Sequence, residues 1–344
     1  MKQARLRLAS LVALTLVVPF VVRAANRWHG VPVVPSYLPA LEGPRERQPF
    51  DPARIDELAR MNPAYVIIGD SMAGTRIDPT RLSELTGRPI APILQAGSGP
   101  AWWYLVLKNW VIGAGVHPRA VLIFFRDTNL TNVMFRLDDR YRWMIDGVAR
   151  EREDELNAAI AAATAGPWYR AQAAVADLYG AEQMRAWAEP AVTGWIGRVI
   201  VPSRRQRTEF LADMNARFSL EHLAPMAAGD LQAAEDREAD FRRDIDRSVL
   251  PLMIRDARAA GLTLCFVRVQ RRPVGGRPPH QSPALERYVR DLRGYIESHG
   301  ALWRDDTGDP ALTIDMYEDG DHLDRSARQR YTEILFERLR PLFQ

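Results

Sequence analysis

Five short apolar runs, separated by segments of helical character, constrain the fold of this chain more than any other feature of its sequence. Most of the runs are continuously apolar and do not alternate with polar residues, which is typical of parallel strands covered on both faces. Their alternation with helices predicts an α/β fold, a three-layer α/β/α sandwich around a mostly parallel sheet. The predicted strands are Tyr65–Ile68, Ile93–Gln95, Val121–Phe125, Leu262–Val267 and the weaker Ala301–Trp303.

Helices are predicted before, between and after these strands. They cover Pro52–Met61, Pro79–Thr86, Ala101–Gly113, Ser248–Ala260, Pro283–His299 and Arg325–Leu342. The stretch from about residue 138 to 245 interrupts the alternation, because it is rich in Ala, Glu, Arg and Gln and carries several tryptophans. We interpret it as helices inserted between the third and fourth strands. Packing between these helices is the simplest role for the tryptophans, and a lid or partner surface is the alternative.

The composition is that of an ordinary globular protein and excludes several other classes. Hydrophobic residues make up 47% and charged residues 26% of the 344 residues, which suits one large domain or one domain with an insertion. The 46 basic and 43 acidic residues are interspersed, so no basic run points to a nucleic-acid partner. The single cysteine, Cys265, excludes an intramolecular disulfide and a multi-cysteine zinc site.

The N-terminus has the features of an export signal or a membrane anchor. Lys2, Arg5 and Arg7 precede an apolar stretch that Arg23 closes. This stretch of about 15 residues is shorter than the ~20 that span a bilayer comfortably, and small residues do not occupy both positions that a cleavage site requires. We therefore expect residues 1–24 to be an uncleaved signal anchor, with the rest of the chain exported.

The next segment, residues 25–52, is predicted to be an extended stalk between the anchor and the folded domain. Prolines recur from Val31 onward, and they exclude a regular helix or a central strand. The remaining residues, 53–344, are predicted to form the folded domain with its helical insertion.

The first candidate for chemistry is Gly69-Asp70-Ser71, directly after the first predicted strand. In an open parallel sheet, ligands bind beyond the carboxyl ends of the strands, and Ser71 lies at that edge. Gly69 permits a tight turn there. By itself the tripeptide is also typical of an ordinary turn, in which Asp70 or Ser71 caps the next helix.

The second candidate is the pair Asp319 and His322, before the last predicted helix. A serine nucleophile needs a base, and the base needs a carboxylate that orients it. Asp319 precedes His322 by three residues and can curl back on a tight turn to hold one imidazole nitrogen. Asp321 is the rival for this role, although a directly adjacent side chain more often faces away. The alternatives are a solvated acidic loop that caps the last helix through Asp324 or Ser326, and a weaker metal site.

Together, the early Gly-Asp-Ser and the late Asp-x-x-His resemble the SGNH/GDSL hydrolase superfamily. The resemblance covers about residue 63 to the C-terminus, apart from the inserted helices. It implies a three-layer α/β/α fold and an esterase, lipase, deacetylase or acyltransferase activity that needs no cofactor and no metal. It also implies that Ser71 is the nucleophile and one oxyanion donor, that His322 is the base, and that Asp319 supports His322.

The same resemblance implies two further oxyanion donors. One is a glycine after the second strand, for which Gly99 is the candidate and Gly97 the alternative. The other is an asparagine in a Gly-x-Asn-Asp block, which this sequence replaces with Phe-Phe-Arg-Asp-Thr-Asn. Asn129 is the candidate there, and Thr128 or Arg126 are alternatives. The departure from the family pattern leaves the details of oxyanion stabilisation open.

In finer detail, the anchor and the Gly-Asp-Ser-Met-Ala-Gly and Gly-Asp-His-Leu segments resemble anchored SGNH proteins of bacterial cell-surface polysaccharide O-acylation. These include accessory proteins of alginate O-acetylation and D-alanyl transfer. The likeness implies a polysaccharide or acyl-ester substrate, a membrane-bound O-acyltransferase as partner, and a periplasmic domain anchored in the inner membrane. A non-catalytic scaffold that docks on such a partner through the inserted helices is the alternative.

Four more residues are candidates for substrate binding: Asp70, Arg76, Trp102 and Arg126. Trp102 either forms a stacking platform for a sugar or packs a helix on the sheet. The two arginines either contact an anionic polysaccharide or are solvated.

Overall fold

The sheet occupies the centre of the described part of the chain. The computed structural model describes residues 17–29, 41, 50–138, 141–150, 152–165, 171, 239–273, 281–318 and 321–343. Within these ranges five parallel strands form one sheet in the order β2-β1-β3-β4-β5. They are β1 Tyr65–Gly69, β2 Ile90–Leu94, β3 Ala120–Phe125, β4 Leu264–Arg268 and β5 Leu302–Asp305. The predicted α/β class with a parallel sheet is confirmed.

Three of the five strands are covered on both faces of the sheet, which explains their continuous apolar sequence. Every residue of β1, β3 and β4 is buried, whereas the edge strands β2 and β5 are partly exposed. The second strand begins three residues before its predicted start, since Ile90 and Ala91 also pair with β1. Pro92 lies within it, which only an edge strand tolerates, because proline has no N–H to donate.

Helices cover both faces of the sheet, and the central strands send alternate side chains to each. The helices are α1 Ala53–Met61, α2 Ser71–Arg76, α3 Pro79–Thr86, α4 Pro100–Leu105, α5 Arg142–Val148, α6 Asp154–Ala163, α7 Phe241–Ile245, α8 Leu250–Ala259, α9 Pro283–Ser298, α10 Arg328–Arg338 and α11 Arg340–Phe343. Residues 17–28 are also helical. Val66 and Ile68 pack with α4, α8 and α9. Tyr65 and Ile67 pack on the opposite face with α2 and α10.

Two predicted helices differ from the observed ones. The predicted helix from Ala101 continues past α4 as a π-helix, Val106–Ile112. The predicted final helix is divided into a 3-10 turn, Arg325–Ala327, followed by α10 and α11.

The described parts of the inserted stretch are helical and pack on the same face as α4. Leu156 and Ile160 of α6 and Ile245 of α7 belong to that hydrophobic core. Most of the insertion and of the predicted anchor and stalk lies outside the described residues, so these assignments stay predictions. Within the described ranges, none of the helices combines the length and the apolar character that a membrane crossing requires.

Candidate active site

Ser71 lies at the carboxyl edge of the sheet, at the first position of α2. The chain leaves β1 at Gly69, and Asp70 caps α2 by accepting a hydrogen bond from the Met72 amide at 2.8 Å. Capping of this kind fixes where the helix begins. The half-buried Ser71 is therefore held at the edge where ligands bind in parallel sheets.

Gly69 is required because α2 folds back directly onto the strand ends. A Cβ atom at Gly69 would lie 2.6 Å from the Cβ of Ala73 and 3.3 Å from the Cβ of Phe124. Both neighbouring atoms are Cβ atoms, which are attached directly to the backbone and cannot move away by side-chain rotation. Close packing, and not an unusual backbone angle, therefore explains why glycine occupies position 69.

Gly69→Ala is expected to lower the free energy of unfolding by about 1–3 kcal/mol, the usual cost of overpacking, because α2 must shift. Gly74→Ala is the matched control on the same helix, since a Cβ there would meet nothing within 4 Å. It is expected to be neutral or to stabilise by about 0.5–1 kcal/mol. Urea unfolding of the two variants checks both values, and equal stabilities would contradict the packing argument.

His322 lies against Ser71. Its Nε2 atom is 3.0 Å from the Ser71 Oγ atom, although the two residues are 251 positions apart. This distance is within the range expected for a nucleophile and its base. The structure therefore brings together the two residues that the sequence motifs single out.

Hydrogen bonds hold the His322 loop against the helix that carries Ser71. Tyr317 and Leu323 form an antiparallel bridge, and the Glu318 amide donates to the His322 carbonyl at 3.1 Å. The Leu323 amide donates to the Thr75 Oγ atom on α2 at 3.3 Å. One short helix therefore positions both members of the pair.

Asp319 lies outside the described residues, so its role as support for His322 stays a prediction. Its rival, Asp321, is engaged elsewhere. Asp321 Oδ2 accepts from Arg126 Nη1 at 2.6 Å, and Oδ1 accepts from the Arg272 amide at 2.9 Å. Both oxygens therefore face the ends of β3 and β4, which disfavours Asp321 as the carboxylate that orients the imidazole.

The loop with the two candidate glycines adjoins the turn into Ser71. The Ser98 hydroxyl donates to the Gly69 carbonyl at 3.3 Å. A Cβ at Gly99 would lie 2.2 Å from the Phe135 carbonyl oxygen, and Gly97 has a φ of +80° and abuts the Tyr141 ring. Close packing thus explains both glycines, and the oxyanion role of Gly99 stays a prediction.

Asn129 is buried at the start of a 3-10 turn after β3, and its backbone N–H donates to the Arg126 carbonyl at 2.9 Å. It lines a pocket of about 300 Å³ together with Thr128 and Phe135. Phe135 also packs on Gly99, but the lining of this pocket includes neither Ser71 nor His322, so the donor role of Asn129 stays a prediction.

The side chains of two predicted substrate contacts are buried, which disfavours these contacts, and they stay predictions. Arg76 is fully buried at the end of α2, where it donates to the carbonyls of Met72 and Gln270 at 3.1 and 2.9 Å. Trp102 is only 4% exposed and packs edge-to-face on Trp110. This burial supports the other role given to Trp102, helix packing on the sheet.

Asp70 and Arg126, the other two candidates for substrate contact, have partners within the protein. Arg126 is paired with Asp321, and Asp70 lies 3.5 Å from Arg136 Nη1. Burial raises the pKa of Asp70, although the Met72 amide and the Arg136 charge oppose this. No sequence pattern pointed to Arg136, which lies in an irregular segment with a φ of +54°.

A buried ion cluster, also missed from the sequence, joins the ends of β3 and β4. Asp127 accepts from Arg268 Nε and Nη2 at 3.1 and 2.5 Å, and from Arg271 Nε. Burial by itself would raise the pKa of Asp127, but the charges of the two arginines outweigh it, and this pKa lies below its ordinary value. The cluster therefore links the backbone that follows β3 to the backbone at the end of β4.

Known proteins show little similarity to this chain. No family model matches the sequence, and no curated protein matches it. In structure, the chain is similar to a Bacteroides fragilis protein with an inferred acylhydrolase activity, whose crystal structure was solved at 2.00 Å. The identity is 10% and the TM-score is 0.37, over 86% of this chain and 99% of the other. A similarity at this level does not indicate a function.

Proposed function

We propose that this protein is a serine-dependent acyl-ester hydrolase or O-acyltransferase. The observation that carries the proposal is the 3.0 Å contact between Ser71 Oγ and His322 Nε2 at the carboxyl edge of the sheet. In this mechanism His322 takes the hydroxyl proton while Ser71 Oγ bonds to the acyl carbon. The ester C–O bond then breaks, and the leaving alcohol receives that proton.

The second half-reaction decides between the two activities. A water or a sugar hydroxyl attacks the acyl group on Ser71, His322 again accepts the proton, and Ser71 Oγ leaves with it. Water gives hydrolysis, and a sugar gives acyl transfer, so the outcome depends on how well the acceptor site excludes water. In this proposal Asp319 orients His322 throughout.

The negative charge on the acyl oxygen would be held by the amides of Ser71 and Gly99 and by the side chain of Asn129. Support for the Gly99 amide comes from the Ser98 hydroxyl, which ties the glycine loop to the carbonyl of Gly69. The role of Asn129 rests on the resemblance to the superfamily. Each such donor contributes about 3–4 kcal/mol of transition-state stabilisation in enzymes of this kind.

The substrate and setting extend the proposal and rest on the resemblance to anchored SGNH proteins. The ester would belong to a cell-envelope or exported polysaccharide. The domain would be periplasmic and held at the inner membrane by residues 1–24, beside a membrane-bound O-acyltransferase that supplies the acyl group.

Covalent labelling with a fluorophosphonate probe tests the proposal. The full-length protein is expected to be labelled at Ser71, as mapped by peptide mass spectrometry, because His322 activates this hydroxyl. Ser71→Ala is expected to prevent labelling, whereas Ser298→Ala, an exposed serine at the end of α9, is expected to leave it unchanged. Label on a different serine, or no label, would count against the mechanism.

The second candidate is a non-catalytic scaffold, and the altered block after β3 favours it. The family glycine is missing there, and Asn129 begins a 3-10 turn. A scaffold would bind its membrane partner equally well with or without the Ser71 hydroxyl and would turn over no ester.

A further inference from the structure

We propose that Arg126 and Asp321 act as positioning residues that hold His322 against Ser71. We call this ion pair, with the hydrogen bond from the Arg272 amide to Asp321, the latch. The inference rests on the proposed function, because it assigns a role in the same reaction. It also replaces the expectation that Arg126 contacts the substrate.

The latch attaches the residue next to the base to two different strand ends. Arg126 follows β3 directly, and its Nη1 lies 2.6 Å from Asp321 Oδ2. Arg272 lies beyond the end of β4, and its amide donates to Asp321 Oδ1 at 2.9 Å. Because both carboxylate oxygens are engaged, the position and the rotation of the Asp321 side chain are both determined.

The partners of Asp321 are themselves fixed by the buried ion cluster. Asp127, the neighbour of Arg126, pairs with Arg271, the neighbour of Arg272. Asp127 also pairs with Arg268 at the end of β4. The latch therefore transmits the rigid geometry of the sheet edge to the loop that carries His322.

The His322 loop needs such an attachment. Residues 321–324 form neither helix nor strand apart from the bridge at Leu323. The contact of Leu323 with Thr75 holds the loop on the α2 side, and the latch holds it on the β3 and β4 side. A misplacement of about 1 Å in a reacting group can cost on the order of 10²-fold in rate.

The two members of the latch carry opposite charges, and Asp321 directly precedes His322 in the chain, so removing each should have opposite electrostatic effects on the imidazole. Without Arg126, the uncompensated Asp321 carboxylate favours the imidazolium form. Without Asp321, the loss of its negative charge disfavours the imidazolium form. The charges of Arg136 and Arg76 also act on Asp70, the neighbour of Ser71, and they are the same in every variant.

The experiment compares Arg126→Met, Asp321→Asn and the double variant in the full-length protein. The readouts are kcat and KM for an activated acetyl ester as a function of pH. Each single variant is expected to lower kcat by about 10–10²-fold with little change in KM. The midpoint of the acid limb is expected to move up in Arg126→Met and down in Asp321→Asn. In the double variant, kcat should match the single variants instead of falling by the product, since the two residues act as one unit.

The exposed ion pair between Arg81 and Glu333 supplies the matched control, and Arg81→Met is expected to change none of these quantities. Arg126→Lys is expected to recover part of the lost kcat. If Arg126→Met unfolds, Asp321→Asn still tests the proposal, because it keeps the side-chain size.

Three results would overturn the latch. The first is a raised KM with unchanged kcat, which would mark Arg126 as a substrate contact. The second is a pH midpoint of the acid limb that stays the same in both single variants. The third is a loss of kcat in the double variant that equals the product of the two single losses. Each of these leaves Ser71-dependent turnover in place. Turnover that survives Ser71→Ala instead removes the proposed function, and the two failures are thereby told apart.

Discussion

Ser71→Ala is expected to lower kcat for an activated acetyl ester by about 10⁴–10⁶-fold, the loss typical of serine hydrolases without their nucleophile. The reason is chemical, because no acyl-enzyme can form without Oγ. The hydroxyl hydrogen bonds to His322, while the cap of α2 comes from Asp70. The substitution should therefore leave the fold intact.

Initial rates and thermal unfolding, measured on the same preparations, check this prediction. Ser298→Ala is the control, since it removes a hydroxyl that bonds only locally to Tyr295 and His299. A Ser71→Ala protein that still turned over the ester at the wild-type rate would contradict the mechanism, and a wild-type protein with no turnover at all would favour the scaffold.

The sequence was sufficient for the central strands and for the choice of Ser71 and His322. Strands β1, β3 and β4 are buried on both faces, and burial on both faces requires apolar residues at consecutive positions. The pair was chosen because two short motifs resemble a known superfamily. Neither the order of the strands in the sheet nor the 3.0 Å distance between Ser71 Oγ and His322 Nε2 can be predicted from the spacing of the motifs in the sequence. A contact across 251 positions depends on the topology of the whole domain.

Side-chain burial was the part that the sequence could not provide. Arg76 looks like a surface residue in a polar segment, yet it is fully buried between Tyr317 and Tyr331 and bound to backbone carbonyls. Its burial depends on partners far along the chain. The same holds for Asp127, whose partner Arg268 is 141 positions away.

Asp127→Ala is expected to lower the free energy of unfolding by about 3–5 kcal/mol, more than Gly69→Ala. Removing one partner from a buried ion pair leaves an uncompensated buried charge. Here two arginines lose their acceptor, and Arg268 is 2% exposed. Asp127 also has a φ of +44°, so the ion pairs hold a backbone conformation that few residues adopt.

Urea unfolding at several pH values measures this effect. Glu297→Ala breaks the exposed pair between Arg293 and Glu297, and as a control it is expected to cost about 0–1 kcal/mol.

The pKa of Asp127 is lowered in the folded state. Its contribution is therefore fully present above the unfolded-state pKa of about 3.9 and is lost as the pH falls through the lower folded-state pKa. The difference between wild type and Asp127→Ala should stay constant near neutral pH and shrink below about pH 4. A difference as small as that of Glu297→Ala would mean that water or other groups solvate the two arginines, and the cluster would then not fix the strand ends.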